Sequence, residues 1–369
     1  MSAIQPDNYQ ALLTAKVARA QDQLRPLGPP PPTVTPSAPL GYRMRAEFRV
    51  WHDGEALDYI MFDPQDPKSR LTITDFPVVH DSIQTLMKPL LSALRGNSVL
   101  RHKLFQVEFL ASLSGECLVT LIYHRKLDSV WEDAAATLRA ALSSQRGPLS
   151  LIGRSRKQKV VLGDDYVTER LTVEDREFQY RQYEQAFTQP NALVNRAMIE
   201  WACQQAAVLS GDLLELYCGN GNFTLPLAYH FEQVIATEVA KVSARAARHN
   251  ITNNRIDNVQ IIRLSAQEVS DAMAGTRKFR RLQELPQALH EYQLETVLVD
   301  PPRAGLDAAT RAMVAAFTNI LYISCNPDTL TRDLEQLCDS HTIEAYALFD
   351  QFPYTDHLES GVRLRKRNR

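Results

Sequence analysis

The sequence predicts an α/β protein in which a doubly wound, mostly parallel sheet fills the C-terminal half and a separate α+β domain precedes it. Two patterns predict this. After residue 191 the apolar runs "DLLELYC", "QVIATEV", "NVQIIRL", "ETVLVDPP" and "ILYISCN" alternate with helical stretches, as parallel strands joined by helices do. Between residues 41 and 180 the short strands instead follow a period of two, the mark of sheets with one buried face. The expected organisation is therefore 1–40, an N-terminal helix and proline-rich linker; 41–180, the α+β domain; and 181–369, the parallel-sheet domain.

The elements follow in order. Residues 8–25, "NYQALLTAKVARAQDQLR", are apolar at helical spacing, and the prolines of "PLGPPPPTVTPSAPLG" then forbid helix and favour an extended linker. In "YRMRAEFRVW" the apolar Tyr42, Met44, Ala46, Phe48 and Val50 alternate with Arg43, Arg45, Glu47, Arg49 and Trp51, so the second strand face is largely cationic. Asp53-Gly54 turns this strand into "ALDYIMFD". A second hairpin joins "KLFQVEFLAS" to "ECLVTLIYH" around Ser114-Gly115. Residues 128–145 read as a helix, and "SLIGR", "QKVVLG" and "EFQYRQ" as short strands. Past Gln189-Pro190-Asn191, "ALVNRAMIEWACQQAAVL" is an amphipathic helix that opens the parallel-sheet half.

Composition narrows the function classes. A hydrophobic content of 44% supports proper cores, and a formal charge of −2 excludes a protein that coats nucleic acid by bulk charge, so nucleic-acid contact must use local basic clusters. No signal-like N-terminus and no apolar run of about eighteen residues is present, which points to the cytoplasm and away from membranes. The five cysteines, Cys117, Cys203, Cys218, Cys325 and Cys338, include no C-x-x-C pair, so neither a metal nor an iron–sulfur cluster is expected.

Chemistry collects at the strand ends. "LLELYCGNGNF" carries Glu215, then Gly219 and Gly221 in a turn that lets a ligand approach the backbone. The second strand ends at Glu238, where a carboxylate can accept both hydrogen bonds of a ribose diol. The glycine turn is shorter than a dinucleotide fingerprint and no phosphate-binding lysine follows, so a ribose without pyrophosphate fits, which means S-adenosyl-L-methionine. Asp300 in "VDPPRAGL" reaches the same edge. Amino-group methyltransferases carry a similar D-P-P with an aromatic fourth residue, but here Arg303 stands there. The fifth strand delivers Cys325 to that rim, where a thiolate adding to carbon 6 of a pyrimidine makes carbon 5 nucleophilic enough to accept a methyl group. A general base must then remove the carbon-5 proton, and "FPYTDHLESGV" offers Asp356, His357 and Glu359 without spacing to choose among them.

"FTQPN" (187–191), "LLELYCGNGNF", "VDPPRAGL", "YISCNP", "DQFPYTDHLESGV" (350–362), "YRMRAEFRVWHDG" and "RHKLFQVEFL" resemble the RNA uracil-5-methyltransferase family, and within it the tRNA branch, over nearly the whole chain. The resemblance implies a Rossmann-like methyltransferase domain behind an RNA-recognition domain. It implies Cys325 as nucleophile and Glu359 as base, with donor contacts at Gln189, Tyr217, Asn222 or the adjoining Gly219 and Gly221, Glu238 and Asp300. It also implies the T arm of tRNA as substrate, with the tRNA-like transfer-messenger RNA as a second, and no protein partner. Arg43, Arg45, Arg49, Trp51 and Phe105 are the candidate RNA contacts, with "GRSRKQK" and "RLRKRNR" beside them, although Phe105 by itself suits a core. His124, Arg125 and Lys126 read as a solvated loop, and the other four cysteines as packing. The alternatives are ribosomal-RNA uracil-5 methylation, amino-group methylation without a thiol, and an inert RNA-binding protein.

Overall fold

The computed structural model describes residues 4–62, 66 and 68–367, and the chain divides into two compact units. Ala38–Arg170 and Arg181–Ala192 belong to the first; Asp7–Ser37, Leu171–Tyr180 and Leu193–Arg369 form the second. The division does not follow chain order. Asp7–Ser37, which the sequence sets apart as a helix and linker, count with the parallel-sheet unit, and residues 181–192, placed by the sequence at the start of the parallel-sheet domain, count with the α+β unit.

In the first unit a seven-stranded sheet runs in the order Arg70–Thr72, Ala56–Phe62, Arg45–Asp53, Leu104–Ala111, Cys117–Tyr123, Leu149–Ser155, Gln158–Leu162. Neighbours are antiparallel except Cys117–Tyr123 with Leu149–Ser155, which the helix Ser129–Arg146 connects in parallel. Tyr42, Met44, Ala46, Phe48 and Val50 are buried, as the alternation requires. The sequence reading lacked the helix Asp81–Arg95, which holds Pro89 in its interior. Proline there costs about 3 kcal/mol. Burial of Ile83, Leu86, Met87, Leu90, Leu91 and Leu94 stabilises by roughly 1.5–3 kcal/mol each and outweighs it. The strand Tyr166–Val173, also missed, pairs with Arg176–Tyr183 in a ribbon whose tip, Leu171–Tyr180, belongs to the second unit.

The second unit is built on an eight-stranded sheet in the order Thr33–Thr35, His341–Phe349, Glu359–Lys366, Asn319–Ser324, Leu294–Val299, Asp212–Leu216, Val234–Thr237, Val259–Ile262. The five central and outer strands expected from the sequence pair in parallel, while Glu359–Lys366 runs antiparallel to both its neighbours. Chain order reverses direction at Asp212–Leu216, which opens a crevice at the carboxyl edge. Inside the expected linker, Thr33–Thr35 pair in parallel with Ala347–Phe349. Polyproline II and β backbones both lie in the broad extended region, and the prolines of this run lie outside the paired residues, so a proline tract can still supply an edge strand.

Candidate functional site

Strand register assembles the site. Leu216 pairs with both Thr237 and Val299, so the next residue on each chain, Tyr217, Glu238 and Asp300, falls at one carboxyl edge. Tyr217 adopts φ +62°, a left-handed conformation that costs a non-glycine residue about 1–3 kcal/mol and marks a turn held by its surroundings. Glu238 braces that turn: Oε2 accepts from the Gly219 N–H at 3.0 Å and Oε1 from the Ala240 N–H at 2.6 Å. Gly219, at φ +59°, faces open space where a Cβ would point. Gly221 is packed against Leu225, and the Asn222 amide exchanges two hydrogen bonds of 2.8 Å with Asn195, so this side chain is turned toward the helix Ala192–Ala206. Beneath them Glu215 is buried, its Oε2 has no hydrogen-bond partner among the described residues, and burial pushes its pKa up to about 8. Gln189 lies in the other unit.

The thiol and its candidate bases come next. Ser324 pairs with Ser360 in the last pair of this antiparallel ladder, and Cys325 and Glu359 are the next residues beyond it on their two strands. Their charges are coupled. Burial first, then Glu359 and Asp300, push the Cys325 thiol up to about 11, while Arg303 pulls it down. Burial and then Asp300 push Glu359 up to about 8, again opposed by Arg303, and burial pushes Asp300 up to about 7. Cys325 is half-buried rather than lost in the core. Of the three acid–base candidates, Asp356 is exposed and ion-paired with Arg19 at 2.9 Å, His357 Nε2 lies 3.5 Å from Arg303 Nη2, and Glu359 is the buried one whose charge raises the thiol's pKa.

The Asn-Pro turn after Cys325 is a helix start. Asn326 caps the helix Pro327–Leu337 by accepting from the Asp328 N–H at 3.1 Å, and its amide donates to the Arg303 carbonyl at 2.9 Å. The thiol thus precedes a helix N-terminus, whose dipole favours a thiolate alongside Arg303. Asp333, fully buried in this helix, accepts from the Leu306 N–H, the Tyr322 hydroxyl, Arg311 and Arg332. It binds the D-P-P loop to the cysteine-bearing strand. Gly305 sits in this knot at φ +71°, where a Cβ would come 2.7 Å from Asp333 Oδ2 and 2.9 Å from Thr329 Cβ. Gly305→Ala is therefore expected to lower stability by about 1–3 kcal/mol, read as a lowered melting temperature, and to slow turnover with it.

The family model for tRNA (Uracil-5-)-methyltransferase matches residues 8–367. The chain belongs to this family. It is 53% identical over 361 residues, 98% of each chain, to the tRNA/tmRNA (uracil-C(5))-methyltransferase of Salmonella schwarzengrund, with the same figures for that of Salmonella typhimurium. The crystal structure of Pyrococcus abyssi tRNA (uracil-54, C5)-methyltransferase in complex with S-adenosyl-L-homocysteine matches 97% of this chain and 83% of that one, with a TM-score of 0.72 at 20% identity, which shows a shared fold.

In this tRNA (uracil-5-)-methyltransferase the candidate RNA contacts separate into two sets. Arg43 donates through Nε to the Arg45 carbonyl, and Arg45 donates to the carbonyls of Ala186 and Glu184, so both are tied within the first unit. Arg49 and Trp51 are on the open face. The Arg49 guanidinium lies 3.9 Å from the Phe105 ring centroid, and Phe105 stacks on His124 at 4.0 Å between centroids. Phe105 is thus half-exposed beside a cleft of about 450 Å³, not core. Arg125 is not solvated either: its guanidinium donates to the carbonyls of Val99, His102 and Lys126. Lys126 and Arg156 are exposed on a second cleft of about 670 Å³ that shares His124. Of "RLRKRNR", Asn368 and Arg369 lie outside the described residues.

Sequence reasoning missed Asp333, a buried carboxylate that reads as an exposed helix acid, and a group of Glu174, Cys203 and His230 whose metal-type ligand atoms lie within 4.8 Å of one another. Burial pushes the Cys203 thiol up, away from the thiolate a metal would take. Among the described residues no helix is long and apolar enough to cross a membrane.

Proposed function

We propose that this protein methylates carbon 5 of the T-loop uridine of tRNA, and of transfer-messenger RNA, in the cytoplasm. The observation that supports the covalent route is the register that sets Cys325 and Glu359 one step past Ser324 and Ser360. S-adenosyl-L-methionine supplies an electrophilic methyl group on a sulfonium centre. The residues present fit it: open space at Gly219, acceptor capacity at Glu238 for a ribose diol, and, for a cationic group, the acids Asp300 and Glu215, whose buried Oε2 has no hydrogen-bond partner among the described residues. Tyr217 and Asn222 complete the proposed donor site within this unit.

The chain's own part is proton and electron-pair bookkeeping. The Cys325 thiolate adds to carbon 6, which places the ring's negative charge on carbon 5 and its enolate oxygen, and carbon 5 takes the methyl group. Glu359 then accepts the carbon-5 proton, the released pair restores the carbon 5–carbon 6 double bond, and the thiolate leaves. The target base must first swing out of its loop at a cost of a few kcal/mol, roughly. Trp51 and, with Phe105 sandwiched between them, Arg49 and His124 are proposed to offset this by stacking, and Lys126 and Arg156 by phosphate contact. The test is incubation of unmodified tRNA with labelled methyl donor and digestion to nucleosides. 5-Methyluridine is the expected product, and label on an exocyclic amine would overturn the proposal.

A further inference from the structure

The N-terminal helix Tyr9–Leu24 turns Tyr9, Leu13, Lys16, Ala20 and Leu24 inward. One of these is a charge. The Lys16 ammonium is only 5% exposed and spends its three donors on Asp350 Oδ1, the Phe352 carbonyl at 3.0 Å and the His357 carbonyl at 3.1 Å. Asp350 is itself fully buried. These acceptors all lie within residues 350–358, the segment between the strands His341–Phe349 and Glu359–Lys366. Lys16 therefore holds the start, the middle and the end of the loop that leads into Glu359. The same helix also reaches the cysteine side, since Gln23 donates to Asp328 Oδ1 at 2.8 Å in the first turn of the helix after Cys325.

Stability does not explain this arrangement. Burying an ammonium and a carboxylate costs several kcal/mol, roughly, and apolar residues of similar volume are often as stable or more so. An apolar side chain at 16 would fill the space but leave the Phe352 and His357 carbonyls unheld. What the ammonium adds is direction: a point charge fixes three acceptors of one loop in one arrangement.

We propose that Lys16 is a positioning residue for removal of the carbon-5 proton, acting through residues 350–358 to hold Glu359 in reach of the base. This rests on the reading of Glu359 as the general base. A misplacement of about 1 Å at such a step costs on the order of 100-fold, while addition of Cys325 and methyl transfer do not use Glu359 as a base.

The experiment follows single turnovers of labelled tRNA in wild type, Lys16→Met, the Lys16→Met/Asp350→Leu double variant that leaves no unpaired buried charge, and Glu359→Gln. Formation of the protein–RNA adduct and its decay to product are read on denaturing gels, with a thermal melt of each protein. Both Lys16 variants are expected to form adduct within about threefold of wild type and to release it about 10- to 100-fold more slowly, with KM for the methyl donor unchanged. Release at the wild-type rate while Glu359→Gln retains its adduct overturns the role of Lys16 alone. Loss of adduct formation and release together, in step with a lowered melt, marks Lys16 as a support of the fold and also overturns it. If Glu359→Gln releases product at the wild-type rate, the base assignment falls, and the positioning role falls with it.

Discussion

Cys325→Ala is expected to lower methyl transfer by about 10⁴-fold or more while tRNA binding persists. Carbon 5 of a uracil carries too little electron density to displace a methyl group from a sulfonium, and the other thiol of this edge, Cys218, is buried, which pushes its pKa up. Asp300 and Glu359 are carboxyls whose pKa values lie near 7 and 8, so at neutral pH they are weak nucleophiles and partly protonated. Binding should survive because the proposed stacking and phosphate contacts lie in the first unit, on Arg49, His124 and Lys126. Two measurements check this: steady-state methylation of unmodified tRNA, and tRNA affinity by filter binding. A third uses tRNA with 5-fluorouridine at the target, because fluorine on carbon 5 cannot leave as a proton. Wild type should then be trapped as a stable adduct and Cys325→Ala should form none. Full turnover by the alanine variant would remove the covalent route.

The rim residues were legible because a parallel sheet carries its chemistry at strand ends, and each strand of the second unit is a continuous apolar run with a clear end. Gly219, Glu238, Asp300 and Cys325 all follow from that one rule. Glu359 did not, since Asp356, His357 and Glu359 share one segment and only the antiparallel register with Asn319–Ser324 brings one of them to the position just beyond the pair beside the thiol. The cationic strand face was read correctly as a pattern and incompletely as a surface, because the carbonyls that bind Arg45 come from residues 184 and 186, far along the chain. Thr33–Thr35 hid among prolines whose φ suits either linker or edge strand. Lys16 did leave a signal: it occupies a position of the apolar stripe between Leu13 and Ala20, where a charge needs a buried partner. The partner itself, Asp350, lies 334 residues away and could not be named.

Glu359→Gln is expected to convert the enzyme into one that methylates once and holds its RNA. Cys325 and Glu359 place opposite demands on one proton. Ionised Glu359 raises the thiol's pKa, so addition is favoured while this carboxyl is neutral, yet elimination needs it ionised. With its pKa near 8, wild-type release from a preformed adduct should quicken about tenfold per pH unit below 8 and level off above, whereas the glutamine variant should show no such limb. Adduct that survives denaturing gels and outlasts the wild-type adduct by orders of magnitude is the expected result, and a release rate that still climbs with pH in Glu359→Gln would move the base elsewhere. The same shift has a stability consequence of opposite sign. A carboxyl whose folded pKa is about 8 keeps its proton in the folded protein between about pH 4.5 and 8 while the unfolded chain loses it, so the folded state binds more protons and stability falls as pH rises through that window. Glu359→Gln removes this penalty. Its melting temperature should exceed that of wild type at pH 8 to 9, with the difference shrinking toward pH 4.5, so that the variant with the longest-lived adduct is also the more stable protein, as expected where a buried acid is held for chemistry at the expense of the fold.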